Sequence, residues 1–470
     1  MKKITFLILS IFITTISCEN VEYGDLNQNP YSSTEGNADA LLRAGQIQFF
    51  SAGGRFYLSN ATLYAQYQTQ NQYTDEQRYN EAPGFWGNYY TSLMNLKAVN
   101  ELESDIRGDM SNIKAISEIF SVMIWKRLTD SFGDVPYTAA LKASENPSPE
   151  YSKQADIYAD LISRAKAARD MLSSSSFTAT ADIIYGGDIT KWKKYANSLI
   201  MSLALQMSKK GGNASAEFAA ALASGPITSN ADNFIFTPDV TGGVTNPWSS
   251  LRPGDFWLSR TLTDVMHGVA GGANITSNVT FDDRIYAYST DPLGQGMPYG
   301  YADNAGFSAT AKINTDISNS DKALTVYPAA YTHLMIAEAA ELGWVNLDSK
   351  AFLKSGILES FNQWGVDSAK ATAYADARLD NASVVGTAQV IGEEKWIALF
   401  PSGYDAWAEQ RRTGFPKLLP SPEPFNNGSI PERFPYPTEE NTINPINWAI
   451  GVTGLSPATD SNSSKIWWNQ

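Results

Sequence analysis

Apolar residues recur at steps of three and four along much of the chain, which is the spacing of one face of an α-helix. The segment 112–128, NIKAISEIFSVMIWKRL, places such a face on Ile113, Ile116, Phe120, Ile124 and Leu128. Ser111 stands where a helix N-cap is expected, and Gly133 and Pro136 follow where a helix would end. The segment therefore predicts one long amphipathic helix.

Two further segments have the same period. The segment 189–212 ends at a Gly-Gly pair after two lysines, which suit the negative end of a helix. Its apolar stripe consists of Trp192, Tyr195, Ala196, Leu199, Ile200, Leu203 and Met207. The second segment, 158–172, has a stripe that consists of Tyr158, Leu161, Ile162, Ala165 and Leu172. Successive helices of this kind predict antiparallel pairs that bury their stripes against each other, as in tetratricopeptide arrays. No 34-residue sequence period is present, so we expect the repeat only in the structure.

The helical period is lost between residues 225 and 326, where Gly, Pro, Asn and aromatic residues are dense. A loop-rich region of this length in a compact protein is usually functional. Helical spacing returns over 327–413, and residues 414–470, rich in Pro and Asn, predict irregular chain wrapped over the surface. We therefore expect one mainly α domain over 38–470, helical over 38–224 and then interrupted by long loops.

The first residues, 1–17, have the layout of a bacterial secretory signal peptide. Two lysines precede the apolar run 4–13, which is too short to span a bilayer, and small polar residues follow. Cys18, the only cysteine, comes next, and the polar residues 18–37 predict a tether. A cysteine in this place resembles the lipobox of bacterial lipoproteins, whose thiol carries a diacylglycerol anchor. A plain secreted protein, cut near the same point, is the alternative.

Composition narrows the possible functions. The formal net charge is −14 and there is no basic stripe, which argues against binding to nucleic acid or to anionic lipid. Beyond the amino-terminal run no apolar run approaches eighteen residues, so the sequence predicts no membrane-spanning helix. A single cysteine excludes an intramolecular disulfide. The 12 tryptophans and 23 tyrosines exceed what an average core needs, which leaves aromatic side chains for a binding site.

Several blocks resemble the SusD/RagB family of nutrient-binding outer-membrane lipoproteins of Bacteroidetes, in particular its second SusD-like group. The resemblance begins at SCENVEYGDLNQNP and continues through LTDSFGDVPYTAAL and AEAAELGW. It is strongest at EEKWIALFPSGYDAWAEQRRTGFPKL, residues 393–418, and closes with IPERFPYPTEENTINPINW and KIWWNQ. These blocks follow the order of the family over most of the chain.

The resemblance implies a SusD-like fold of four tetratricopeptide-like helix pairs with long irregular loop insertions. It implies a protein that is lipid-anchored through Cys18 in the outer membrane and faces the cell exterior. The partner would be a SusC-like TonB-dependent transporter, over which the protein acts as a lid that passes on captured ligand. The family binds oligosaccharides or, in the RagB branch, peptides. Residues 225–326, where specificity tends to reside, match least, so the sequence does not name the nutrient.

Sugar binding needs flat aromatic faces beside planar hydrogen-bonding groups, and three loop stretches offer both. The first stretch offers Tyr73, Arg78, Trp86 and Asn88; the second offers Asn246, Trp248, Arg252, Asp255 and Trp257; and the third offers Tyr299 and Tyr301. We expect at least one of these loops to contribute to a ligand site. For each single residue, packing in the core is the competing interpretation.

Other conspicuous residues predict structural roles. Trp125, Trp192, Trp396 and Trp407 lie in helical stripes and are expected in the core. We expect Arg411 and Arg412 to pair with internal Glu or Asp rather than with an anionic ligand. The pair Trp467–Trp468 is expected to fix the end of the chain rather than to stack on a ligand.

The sequence offers little material for catalysis. The two histidines, His267 and His333, and the lack of a second cysteine give no basis for a Ser-His-Asp triad or a Cys/His zinc site. Asp130 with Asp134, or Glu338 with Glu341, could be a glycosidase pair, but both lie in blocks that resemble scaffold motifs. We therefore expect no enzyme and no cofactor. A structural calcium with oxygen ligands stays open, with no residues assigned.

The sequence thus predicts a surface lipoprotein that captures an oligomeric nutrient, an oligosaccharide as first choice and a peptide as second. The alternative from another class is a helical-repeat scaffold whose only ligand is another protein. A capture protein should expose loop aromatics in one patch, whereas a scaffold should expose apolar residues along a helical groove.

Overall fold

Helices occupy most of the segments that have the helical period. A computed structural model describes residues 37–51, 60–81, 86–142, 145–269, 272 and 274–470. The predicted signal peptide, Cys18 and all of the predicted tether except Asn37 lie outside the described residues. Residues 38–470 form one compact unit.

The helices are joined by short turns over 329–413 and mostly by longer connections over 38–224. Their bounds are α1 Ala38–Ser51, α2 Gly87–Glu101, α3 Ser111–Phe132, α4 Gln154–Met171, α5 Ile189–Gln206, α6 Ala214–Ala223, α7 Arg260–His267, α8 Ile285–Tyr288, α9 Thr315–Ser318, α10 Ala329–Glu341, α11 Ser349–Gln363, α12 Ser368–Val385, α13 Thr387–Ala398, α14 Gly403–Thr413, α15 Thr438–Ile443 and α16 Pro445–Thr453. This order confirms the prediction of a mainly α fold.

Neighbouring helices pack as pairs: α1 with α2, α3 with α4, α5 with α6, and α10 with α11. Consecutive pairs also touch, since α2 packs on α3 and α4 on α5. The first pair is close because Gly45 has no side chain; a Cβ there would lie 2.7 Å from the Leu96 side chain. Ser92 Oγ donates to the Gly45 carbonyl across the same contact, at 2.6 Å. The predicted tetratricopeptide-like pairing is confirmed.

The ends of two long helices show how local sequence sets them. Asp188 caps α5, where its carboxylate accepts from the backbone N–H groups of Thr190 and Lys191. The expected cap of α3, Ser111, is instead the first helical residue, and its N–H and hydroxyl both donate to Asp109. Met110 occupies the N-cap position and makes no side-chain cap, and Asp109 instead binds the first residue of the helix.

Three antiparallel two-stranded ribbons connect the loops. Strand β1 Gln68–Gln70 pairs with β5 Phe256–Leu258, β2 Val135–Pro136 with β3 Tyr151–Ser152, and β4 Phe234–Phe236 with β6 Leu324–Tyr327. The predicted loop region, 225–326, therefore supplies β5 to one ribbon and β4 and most of β6 to another, and it also holds α7, α8 and α9. It is anchored to the helical body rather than free of it.

The last residues differ from the irregular surface wrap that the sequence predicts. They contain α15 and α16, and Phe434, Tyr436, Ile466 and Trp468 are buried. Trp468 Nε1 donates to the Asp130 carboxylate of α3 at 3.0 Å. The carboxy-terminal tryptophan therefore fixes the end of the chain by entering the core.

A buried cluster of charges joins the loop region to α12 and α13, and we call it the Arg378 cluster. It consists of Asp282, Arg284, Arg378, Glu393 and Glu394, whose side chains are at most 1% exposed. Arg378 lies 2.7 Å from both glutamates, and Arg284 lies 2.6 Å from Asp282 and 3.1 Å from Glu394. Every guanidinium in it is paired, which buried charge requires.

A second buried cluster confirms part of the expectation for the arginine pair. Arg412 Nη1 lies 2.6 Å from Glu338, and Lys395 contacts Glu338 and Glu409. Arg411 is different, because it donates to backbone carbonyls and lies over the Trp407 ring at 3.7 Å. Burial lowers the pKa of Arg411 to about 10. Arg412 therefore pairs with carboxylates as predicted, and Arg411 does not.

Candidate functional site

The β1–β5 ribbon brings two of the three predicted loop stretches together. Thr69 of the first strand lies opposite Trp257 of the second, and Gln70 lies opposite Phe256. Beyond the ribbon the Asn71 N–H donates to the Asp255 carbonyl at 2.7 Å. Residues far apart in the sequence therefore lie side by side in the structure.

The third stretch lies along the same ribbon, held by four hydrogen bonds between side chains and backbone carbonyls. Their donors and acceptors are Thr69 Oγ1 to Pro298 O at 3.0 Å, Thr74 Oγ1 to Ala302 O at 3.1 Å, Gln77 Nε2 to Tyr301 O at 3.1 Å, and Asn304 Nδ2 to Gln70 O at 2.8 Å. All three predicted stretches thus meet at β1.

Tyr73 is the most exposed aromatic side chain of the three stretches, with 65% of its surface accessible. Its backbone has a φ of 56°, a left-handed conformation that is uncommon for a residue with a side chain. The Arg252 guanidinium lies 5.4 Å from the ring centroid, and its Nε pairs with Asp255 at 2.8 Å. An exposed tyrosine face and an exposed guanidinium therefore stand side by side, and the mostly buried Asp255 carboxylate holds the guanidinium.

Trp257 offers a second aromatic face nearby on β5. It is partly exposed, and its indole N–H donates to the Gly254 carbonyl at 3.3 Å. The Lys312 ammonium lies 4.2 Å from the ring centroid. We call Tyr73, Arg252, Asp255, Trp257 and Lys312 the ribbon site. Sequence reasoning missed Lys312, because it stands alone in its stretch and only the fold places it against a tryptophan.

The ribbon site has the groups that sugar recognition uses. Aromatic faces cover the C–H faces of a pyranose, and the guanidinium and carboxylate match pairs of hydroxyl groups. Two small cavities adjoin it and share Leu251 and Phe256; Tyr73, Arg252 and Asp255 line one of them, and Trp248 and Lys312 line the other.

Four of the predicted residues are buried rather than exposed at the surface. Trp86 is only 8% exposed and packs among Tyr90, Phe132, Tyr151 and Tyr436. Asn246 is buried, where it accepts from the Trp248 N–H and donates to the Ile317 carbonyl. Trp248 and Tyr299 are buried as well. The prediction that these side chains face a ligand from the surface is wrong, because the rings complete the core beneath the loops.

The remaining predicted residues lie at the margin of the site. Arg78 donates to the Glu423 carbonyl at 2.8 Å and lies over the exposed Phe425 ring at 4.1 Å. Tyr301 is partly exposed and packs on Phe307 at 5.1 Å, and Asn88 is partly exposed in the first turn of α2. None of these three belongs to the ribbon site as defined.

Two tyrosines of the loop stretches are buried: Tyr79 in the first stretch and Tyr299 in the third. Burial raises the pKa of Tyr79 to about 12, and burial also raises the pKa of Tyr299. Both phenols therefore keep their protons at neutral pH. The Tyr79 hydroxyl accepts a hydrogen bond from the Ser421 N–H at 2.9 Å, which connects the first stretch to the chain beyond α14.

Three of the four carboxylates considered for catalysis have structural partners, and the fourth, Glu341, is exposed. Asp130 is buried and accepts from Lys126 at 2.8 Å, Asp134 accepts from the Gln154 N–H at 2.7 Å, and Glu338 pairs with Arg412. Among the described residues no group of three or more His, Cys, Asp or Glu side chains could hold a metal ion. No helix in the described part of the chain is long and apolar enough to cross a membrane.

The four tryptophans that were expected in the core are buried, as predicted: Trp125, Trp192, Trp396 and Trp407.

Comparison with known proteins gives a family and a fold. Residues 30–437 match the SusD-like family model described as "Starch-binding associating with outer membrane". A comparison with curated proteins found no match.

Solved structures agree with the family model. A chitin-binding protein is 24% identical with a TM-score of 0.79, covering 92% of this chain and 100% of its own. A chitin-binding SusD homologue from Flavobacterium johnsoniae is 22% identical with a TM-score of 0.77, covering 92% and 98%. A SusD-like protein from Bacteroides thetaiotaomicron is 22% identical with a TM-score of 0.75, over the same shares. The chain belongs to the SusD-like family.

Proposed function

We propose that the protein captures an oligosaccharide at the ribbon site and passes it to a SusC-like TonB-dependent transporter. The observation that carries the proposal is the exposed Tyr73 ring beside the Arg252–Asp255 pair, together with the partly exposed Trp257 ring beside Lys312. This combination suits a neutral, hydroxyl-rich ligand, since each sugar ring has one apolar face and a polar rim. The family description and the two chitin-binding structures support the same class of ligand.

Capture also needs a location at the cell surface. In the proposal Cys18 carries the lipid anchor in the outer membrane, and the following polar residues hold the folded body near the transporter on the cell exterior. A tether of this kind raises the effective concentration of the body at the transporter, so the affinity for each ligand molecule need not be high. No chemical step on the ligand is part of this function.

The ligand class is tested by a binding screen of the purified protein with glucose oligomers, N-acetylglucosamine oligomers, other plant and host glycans, and a set of short peptides. We expect one oligosaccharide class to bind and the peptides not to bind. Replacing either aromatic face, in Tyr73→Ala and Trp257→Ala, should weaken that binding by about tenfold or more, because buried aromatic anchors dominate contact energies.

The matched control is Tyr286→Ala. Tyr286 is also an exposed tyrosine, 51% accessible, with a lysine ammonium 5.7 Å from its ring, but it lies on α8. Its loss should leave glycan affinity unchanged. Binding of peptides alone would contradict the oligosaccharide proposal, and unchanged glycan affinity in both ribbon variants would contradict the location.

The anchor is tested separately by Cys18→Ala expressed in a Bacteroidetes host. We expect the variant to leave the membrane fraction and wild type to stay in it, with Ser17→Ala as the control. An unmodified amino terminus in the mass spectrum of the wild-type protein would contradict lipidation.

A further inference from the structure

A small recess adjoins the ribbon site at Lys312. It has a volume of about 40 Å³, and Gln68, Trp248, Leu251, Pro253, Phe256, Lys312, Ile313 and Ser318 line it. A single water molecule needs roughly 10–15 Å³ on this measure, so the recess takes a group of a few atoms but no sugar ring. We call it the ribbon recess.

Two buried N–H groups on the wall of the recess have no acceptor among the described residues. They are Gln68 Nε2 and Trp248 Nε1, on side chains that are 0% and 1% exposed. The other end of the Gln68 amide is already used, since Oε1 accepts from Thr62 Oγ1 at 2.8 Å. Buried donors without acceptors are rare because each one costs free energy, so these two indicate a missing acceptor.

The wall determines which acceptor fits. Leu251, Pro253, Phe256 and Ile313 make it apolar, and the two free donors are an uncharged amide and an uncharged indole. The charge of Lys312 is directed at the Trp257 ring. Uncharged donors compensate a carbonyl oxygen but leave much of the hydration of a carboxylate unreplaced. A small group with one carbonyl oxygen and one apolar end matches both features.

We propose that the ribbon recess binds the acetamido group of an N-acetylated sugar. The carbonyl oxygen accepts from Gln68 and Trp248, and the methyl group packs against the apolar wall. The sugar ring itself stays outside, at Trp257, whose ring centroid lies 4.2 Å from the ammonium of Lys312, a residue of the wall. This inference rests on the proposed function, to which it adds the class of sugar.

The test measures the affinity of the whole protein for N-acetylglucosamine oligomers, glucose oligomers and glucuronic acid oligomers of equal length. Wild type should bind the N-acetylated oligomer most tightly. Trp248→Phe keeps an aromatic ring and removes the N–H, and should weaken that binding by about tenfold, which is the upper range for one uncharged hydrogen bond. Affinity for glucose oligomers should not change.

Two further variants make the test independent of folding. Trp364→Phe is the matched control, because Trp364 packs on the same Phe400 ring as Trp248, at the same 6.3 Å, but does not line the recess. Ile313→Phe fills the recess from its partly exposed rim and should have the same selective effect as Trp248→Phe. Thermal melts establish which variants are folded. If Trp248→Phe is not folded, Ile313→Phe alone tests whether the recess gives the N-acetyl preference.

Four outcomes would overturn the inference. They are equal affinity for the N-acetylated and glucose oligomers, tighter binding of the glucuronic acid oligomer, no binding of the N-acetylated oligomer, and N-acetyl selectivity that survives in the folded recess variants. In each case the proposed function is judged on its own by the wider glycan and peptide screen. Glycan binding in that screen without a preference for N-acetylated sugars would contradict this inference and leave the proposed function intact.

Discussion

The ribbon site and the Arg378 cluster both contain arginine and carboxylate side chains, but the two sites differ in how far their cations are buried and paired. In the cluster, Arg284 and Arg378 are fully buried, and each is paired with two carboxylates. In the ribbon site, the Arg252 side chain is 66% exposed and pairs with one carboxylate, and the Lys312 ammonium lies on an aromatic ring. Buried cations that are fully paired with carboxylates hold the fold together, whereas exposed cations beside an aromatic face are available to a ligand.

The largest effect expected from this contrast is on stability. Arg378→Met removes the guanidinium that pairs with Glu393 and one of the two that pair with Glu394, and leaves both carboxylates buried. The free energy of unfolding should fall by about 3–5 kcal/mol, as when one member of a buried ion pair is removed. Urea denaturation at pH 7 measures it.

The control for this variant is Lys370→Met, which removes an exposed lysine that pairs with Asp283. Its unfolding midpoint should stay close to that of wild type. A loss in Arg378→Met no greater than in this control would show that saturation of the buried charges is not what stabilises this region.

The next effect is a dependence of stability on pH. Burial opposes ionisation of Glu394, but the charges of Arg378 and Arg284 outweigh it, and the pKa of Glu394 lies below the ordinary glutamate value. A group of this kind adds stability above its unfolded pKa and loses that contribution as the pH falls through its folded pKa. The free energy of unfolding should therefore decrease as the pH drops from about 5 to 3.

One member of the cluster acts in the opposite direction. Burial raises the pKa of Asp282, despite the neighbouring Arg284, so its contribution improves as the pH falls. The decisive measurement is a comparison of wild type with Glu394→Gln by urea denaturation across this pH range. The variant should have the shallower slope, and equal slopes would contradict the assignment to Glu394.

The smallest effect belongs to the ribbon site. Arg252→Met should leave the unfolding midpoint nearly unchanged, because the guanidinium is exposed. Affinity for the glycan found in the screen should fall by about two- to fivefold, in line with one exposed cation beside an aromatic ring. Isothermal titration measures it. A loss of stability as large as in Arg378→Met would place Arg252 among the structural cations and remove the contrast.

The helical part of the fold could be predicted from the sequence, because each stripe has a period that only one structure satisfies. Ile116, Phe120 and Ile124 are all buried on α3, as their spacing indicates. The resemblance supplied the family, and the family model agrees with it. The position of Ser111 inside α3 was not predictable at that level, since the N-cap position falls on Met110, a residue without a capping side chain.

The site was predictable only as a set of loops. Trp86 and Trp257 both lie in aromatic, glycine-rich stretches, yet one is buried and the other is partly exposed. Local sequence carries no signal for that difference, because it depends on rings such as Tyr436 that come from distant parts of the chain. Lys312 could not be assigned for the same reason.

The ribbon closes over a long stretch of chain: Ser259 Oγ donates to the Gln66 carbonyl, 193 positions earlier. Nearly the whole polypeptide from α2 to α7 must therefore be in place before the two aromatic faces are neighbours, and closing so large a loop is entropically costly. A nicked or partly folded molecule would keep many of its helices and still have no platform for a sugar. Retention on a glycan column would then report completed folding more faithfully than helix content does.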